Sequence, residues 1–175
     1  MRKYQRVVLI GFRAVGKTTV GKLLARQLDW EYLSTDHLIE KQQKISIKEI
    51  VKKSGWSNFR RLEHSIIKSI SSRMEAVVDC GGGVIENAEN MELLKTGSLI
   101  VWIDADTSSI IKRIKTSAES RPSLSNPEIE RDVMENYRKR KPIYQSHAQL
   151  TVNSDNLKPT DICKEILEVL HPDVE

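Results

Sequence analysis

Long apolar runs are missing from this sequence, and none approaches the ~20 residues needed to cross a bilayer. The basic N-terminus, Met1-Arg2-Lys3-Tyr4-Gln5-Arg6, leads only into a short apolar strand, too short for the core of a signal peptide. No membrane is therefore expected as a partner, and a cytoplasmic location is expected. Cysteine is scarce. Cys80 and Cys163 stand in apolar surroundings, outside any metal-ligand spacing, and read as small core residues. No repeat, low-complexity tract or Pro/Gly/Ser-rich linker divides the chain, so residues 1–175 read as one domain. A hydrophobic content of 39% excludes a disordered chain. The formal net charge of +4 invites a nucleic-acid reading, with Arg138-Lys139-Arg140-Lys141 as its densest run. On a helix those four side chains diverge, and no aromatic platform is interleaved with them. An enzyme with anionic substrates explains the charge without nucleic acid, and a monomer is expected.

What is present is more specific. Residues 11–18 read Gly11-Phe12-Arg13-Ala14-Val15-Gly16-Lys17-Thr18, the phosphate-binding loop pattern. Its glycines let successive backbone N–H groups face one anion, from Ala14 through Thr19. Lys17 adds a fixed charge for the β- and γ-phosphates, and the Thr18 hydroxyl is a ligand for magnesium. The apolar run Val7-Val8-Leu9-Ile10 precedes the loop and a helical run, Thr19 to Leu28, follows it. That context favours a true nucleotide loop over a chance glycine turn, because the helix aims its positive dipole end at the same anion.

Strand-like runs alternate with helical patterns along the chain. The expected strands are Arg6–Ile10, Glu31–Ser34, Ala76–Cys80, Leu99–Ile103 and Leu150–Val152. Between and after them lie apolar helical faces: Ile45, Ile47, Ile50 and Val51; Leu62, Ile66, Ile67 and Ile70; Ile162, Ile166, Leu167 and Leu170. This alternation predicts an α/β fold with a parallel sheet covered on both faces. Ligands then lie beyond the carboxyl ends of the strands. Those ends carry the phosphate loop, then Ser34-Thr35-Asp36, then Asp79 and Gly81-Gly82-Gly83, then Asp104. The polar segment of about 117–126, containing Arg121-Pro122, reads as a lid.

A guanine-reading Asn-Lys-x-Asp segment is lacking, and so is a dinucleotide-binding glycine fingerprint. A small kinase is the simplest class left. At this level the chain resembles the shikimate kinases, within the nucleoside-monophosphate-kinase-like group. The marks are the phosphate loop, Asp36, Phe59-Arg60-Arg61-Leu62-Glu63, Gly81-Gly82-Gly83, Arg121-Pro122 and Arg138-Lys139-Arg140-Lys141-Pro142-Ile143-Tyr144. Only the first is strong alone; in this order and spacing they are specific. The resemblance implies a three-layer α/β/α P-loop kinase fold, with a five-stranded parallel sheet in the order 2-3-1-4-5 and a lid. It also implies transfer of the γ-phosphate of ATP, with Mg2+, to the 3-hydroxyl of shikimate.

By the same resemblance Arg60 and Arg140 hold the shikimate carboxylate, a group that guanidinium recognises with paired charge-assisted hydrogen bonds. Glu63 would orient Arg60. Asp36 would accept the 3-hydroxyl hydrogen bond and its proton; capping the following helix is its simpler structural reading. Gly82 would lie against the substrate. Lys17, magnesium and the lid Arg121 would surround the transferring phosphoryl group.

Two positions depart from the family pattern. The family has Asp-x-Asp after the second strand, and here the first of those positions is Ser34. Asp79, at the end of the third strand, is expected to take over that carboxylate's part toward magnesium, with Ser34 bonding a coordinated water. Near the adenine, Leu157 stands where the family often has arginine. Pro159 is expected against one adenine face and Arg113 near the other. Two further readings remain open at this level. One is a kinase of another small polyol acid such as gluconate. The other is a non-catalytic binding protein of the same fold, which Ser34 alone favours.

Overall fold

The computed structural model describes residues 4–119 and 127–171. Five parallel strands form one sheet: β1 (Arg6–Ile10), β2 (Glu31–Ser34), β3 (Ala76–Asp79), β4 (Ser98–Asp104) and β5 (Leu150–Asn153). Their order is β2-β3-β1-β4-β5, as expected. β3 stops one residue short of the expected end, although the Cys80 N–H still donates to the Leu9 carbonyl at 3.1 Å.

The helices are α1 (Lys17–Leu28), α2 (Thr35–Gln43), α3 (Ile47–Ile70), α4 (Ala88–Lys95), α5 (Thr107–Glu119), α6 (Pro127–His147) and α7 (Pro159–Leu170). A 3-10 turn, Val84–Glu86, follows the triple glycine. All five residues of β1 are buried, so period-two alternation decides only which layer each side chain enters. Val7 and Leu9 pack with Leu24 of α1 and with Ile162 and Ile166 of α7. Val8 and Ile10 pack on the other face with Ile67 of α3 and with Met91 and Leu94 of α4. Both cysteines are buried, in the core as expected. No helix of the described residues is long and apolar enough to cross a membrane.

Local signals set the helix ends near the site. α1 starts at Lys17, two residues before the expected start, with Gly16 as its N-cap. The cap of α2 is Ser34, whose hydroxyl accepts the His37 N–H at 3.3 Å; Asp36 lies inside the helix, so the capping reading of Asp36 is corrected. α3 opens on a reciprocal cap between Ser46 and Glu49 and kinks at Gly55, where φ is 76°. Apart from Ile45, which precedes the cap, its two expected apolar faces thus belong to one bent helix. α5 continues through Glu119, three residues into the expected lid.

Two neighbours flank β1, β3 through the pair Leu9↔Asp79 and β4 through Ile10↔Trp102. The phosphate loop, the Asp79 end of β3 and the triple glycine therefore open into one crevice, at the point where strand order reverses.

Candidate active site

The loop between β1 and α1 turns through two left-handed residues, Ala14 (φ 63°) and Gly16 (φ 99°). Such a turn points successive N–H groups at one concave centre. Ala14, Gly16, Lys17 and Thr18 line a cleft of about 500 Å³ together with Arg13, Arg113 and Ile114. Val15 is not among the lining residues, and its side chain is buried in the core. Thr19 is exposed at the start of α1. The Lys17 ammonium folds under the loop and donates to the carbonyls of Gly11 at 3.0 Å and Phe12 at 2.8 Å. Two of its three N–H groups are thus used, leaving one for an anion. Burial lowers the Lys17 pKa, and the nearby Asp79 and Asp36 carboxylates oppose that shift.

Thr18 Oγ1 donates to Asp79 Oδ2 at 2.7 Å. The Tyr32 phenol donates to the same oxygen at 2.8 Å. The Tyr32 pKa is pushed up, by burial first and by the Asp79 charge second. Thr18 lines the cleft, and both bonds fall on Oδ2 of Asp79. These are hard oxygen donors, the kind Mg2+ prefers, and Mg2+ completes its shell with phosphates and water. Among the described residues no group of three or more His, Cys, Asp or Glu could hold a metal by itself. The sequence missed Tyr32; its place two residues before Ser34 on β2 carried no signal of contact with β3.

A second cleft, of about 600 Å³, lies beside the first, and Arg13 lines both. Its lining brings together Asp36, Arg60, Glu63, Gly82 and Arg140, five residues from four separate segments. Asp36 Oδ1 is buried and has no hydrogen-bond partner among the described residues. Burial raises the Asp36 pKa; Lys17 pulls it down and Asp79 pushes it up. An unsatisfied carboxylate oxygen beside a phosphate loop is suited to receive a hydroxyl proton.

Arg60 Nη1 donates to Glu63 Oε2 at 2.8 Å, the expected orienting contact, and Glu63 is fully buried. Burial raises the Glu63 pKa against the pull of Arg60. Arg140 comes off α6 into the cleft, while Arg138 and Lys139 face solvent. The basic run is thus split between cleft and solvent, as its helical phase predicts.

The two outer positions of the triple glycine leave room for side chains of the cleft. A Cβ on Gly83 would sit 1.9 Å from Arg60 Nη2, and one on Gly81 would sit 2.6 Å from Asp36 Oδ1. Gly82 is less crowded; its carbonyl accepts the Tyr144 hydroxyl, which fixes the turn against α6. The sequence singled out the middle glycine, yet the outer two admit the functional side chains.

Around the adenine the placement is mixed. Arg113 lines the nucleotide cleft, held by Asp155 at 2.8 Å and by the Ser154 hydroxyl at 2.9 Å. Leu157 packs on the core and Pro159 opens α7; neither lines that cleft. Arg121 and most of the expected lid lie outside the described residues.

Three comparisons bear on this site. The "Shikimate kinase" family model matches residues 13–171. A relative named "Shikimate kinase" from Sulfurihydrogenibium sp. (strain YO3AOP1) is 36% identical over 163 residues, covering 93% of this chain and 96% of its own. The solved structure of shikimate kinase from Acinetobacter baumannii in complex with shikimate matches with a TM-score of 0.88 and 29% identity, over 98% of this chain and 96% of that one. The corresponding figures for shikimate kinase from Aquifex aeolicus are 0.80 and 34%, over 95% and 96%. Sequence and architecture agree over nearly the whole length, and the chain belongs to the shikimate kinase family.

Proposed function

We propose that this chain transfers the γ-phosphoryl group of ATP to the 3-hydroxyl of shikimate, giving shikimate 3-phosphate and ADP on the route to chorismate. One observation carries the residue assignment. The cleft that adjoins the phosphate loop is lined both by two guanidinium groups, Arg60 and Arg140, and by the unpartnered oxygen of Asp36. A carboxylate and a hydroxyl on one small acceptor suit that pairing.

In this reading Asp36 accepts the hydroxyl proton as the oxygen attacks phosphorus. Arg60 and Arg140 hold the acceptor's carboxylate and so orient the ring. Lys17 and the loop N–H groups stabilise charge on the transferring oxygens. Arg121, from the lid, joins them. Kinases of this kind generally need Mg2+, and when bound the ion neutralises charge on the β- and γ-phosphate oxygens. Thr18 is its assigned ligand, with Asp79 assisting and Ser34 toward a coordinated water. Arg113 is assigned to the nucleotide. Residues 1–175 act in this reading as a single domain.

The binding-protein alternative rests on Ser34, and the Thr18–Asp79 bond weakens it by supplying a carboxylate beside that position. A coupled assay with ATP, Mg2+ and either shikimate or gluconate separates the readings. Turnover with shikimate and none with gluconate is expected; turnover with neither would leave only a binding role.

A further inference from the structure

A second glutamate reaches the arginine pair. Glu86 ends the 3-10 turn that follows Gly83. Its Oε2 accepts Arg60 Nη2 at 3.0 Å, and its Oε1 accepts Arg140 Nε at 2.9 Å. One carboxylate thereby bridges both guanidinium groups, the contact expected of a bound carboxylate ligand.

The turn itself is fixed. Val84 and Ile85 are buried, and the Glu86 N–H bonds to the Gly83 carbonyl at 3.1 Å. The Glu86 side chain is not: it is 42% exposed, while Glu63, the other carboxylate on Arg60, is at 0%. Glu86 can swing to water by rotating its side chain alone, and Glu63 cannot.

Charge favours the swing. The cleft is lined by three arginines, Arg13, Arg60 and Arg140, against four carboxylates, Asp36, Glu63, Glu86 and Asp132. An anionic acceptor thus enters a site whose positive charge is already neutralised. Glu86 occupies one donor nitrogen on each guanidinium, Arg60 Nη2 and Arg140 Nε, so an acceptor carboxylate gains that bridging pair only when Glu86 leaves it.

We propose that Glu86 is an internal competitor for the acceptor's carboxylate. It holds Arg60 and Arg140 together in the empty cleft and is displaced on binding, so position 86 sets acceptor affinity and charge selectivity. The inference rests on the reading of Arg60 and Arg140 as the carboxylate grip. Glu86 keeps the arginines pre-positioned at the cost of acceptor affinity, and any acceptor without a carboxylate leaves it in place.

The test is calorimetric titration of shikimate into the wild-type chain and into Glu86→Gln, Glu86→Ala and Arg140→Ala. Glu86→Gln keeps the shape and removes the charge, so the shikimate Kd is expected to fall about three- to tenfold, the scale of partly exposed ion pairs. Glu86→Ala should move it the same way. The carboxamide of shikimate should bind wild type and Glu86→Gln alike. If Arg140→Ala weakens shikimate binding but both Glu86 variants leave it unchanged or weaker, the grip stands and the competitor is overturned. If Arg140→Ala leaves the Kd unchanged, the grip is wrong and the competitor falls with it.

Discussion

Ser34 and Asp79 are register partners on the neighbouring parallel strands β2 and β3. Their backbones are therefore one strand spacing apart, about 4.8 Å, at the same height on the sheet. In the proposed reading, the carboxylate at position 79 stands one strand sideways from position 34, at the same end of the sheet. The Thr18 hydroxyl meets it at 2.7 Å.

Asp79→Asn is accordingly expected to raise the Mg2+ concentration for half-maximal turnover about 10- to 100-fold, the usual effect of losing a carboxylate that supports a metal. Shikimate binding without nucleotide should not change. A Mg2+ titration of initial rates checks the first point and calorimetry the second. An unchanged Mg2+ requirement would assign Asp79 to structure alone.

Tyr32→Phe tests the same carboxylate from its other side. Both Tyr32 and Thr18 bond Asp79 Oδ2, so removing the phenol leaves that oxygen with one donor. The variant should retain the fold, because the ring still packs on α1 at Gly21. The Mg2+ requirement should rise by about threefold to tenfold, less than for Asp79→Asn. A rise equal to that of Asp79→Asn would mean that Tyr32 holds the carboxylate's position outright.

The sheet was legible because its signals are local. Most strands are short runs rich in apolar residues, and the candidate site residues Ser34 and Asp79 stand at the ends of β2 and β3. The phosphate loop, the arginines and Asp36 were legible through motif and resemblance. Contacts between distant segments were not. Tyr32 meets Asp79 across 47 positions and Arg140 meets Glu86 across 54. Neither pair has a spacing that could betray it. The cap of α2 was misassigned for a subtler reason. Ser34, Thr35 and Asp36 are all good cap residues in a row, and only the backbone shows that the helix starts at Thr35.

Arg60 and Arg140 should separate in their effects on stability. Each replaced by alanine loses a charge-assisted bond to the acceptor, about 1.5–3 kcal/mol, so the shikimate KM should rise about 10- to 100-fold in either variant. Arg140→Ala strands no fully buried charge, because its partner Glu86 is 42% exposed, and its loss of packing over the Phe12 ring should lower the Tm less than Arg60→Ala does. Arg60→Ala strands Glu63, whose side chain is fully buried and whose Oε1 already lacks a partner among the described residues. With Arg60 itself 27% exposed, a loss of about 2–3 kcal/mol is expected, below the range for a fully buried pair. Thermal melts beside steady-state kinetics distinguish the two, and equal melting temperatures would show that Glu63 does not depend on Arg60.

Asp36 should show the opposite sign, because burial of its carboxylate charge opposes folding. Its pKa is raised from an ordinary 3.8, chiefly by burial, with Lys17 pulling the other way. A carboxylate whose folded pKa exceeds its unfolded one contributes stability below the unfolded value and loses it as pH rises through the folded value. The wild-type chain thus carries a destabilising charge at neutral pH that is absent near pH 3.8. Asp36→Asn removes that charge. Its Tm should exceed wild type at pH 7–8, by about 2–4 °C for each kcal/mol relieved, and the gain should vanish as pH falls toward 4. Turnover should fall about 10²- to 10⁴-fold, the scale of a lost general base. In wild type the acid limb of kcat against pH should lie above the usual aspartate range, and in Asp36→Asn that limb should disappear. A variant less stable than wild type at pH 8 would show that Lys17 needs the Asp36 charge more than folding suffers from it.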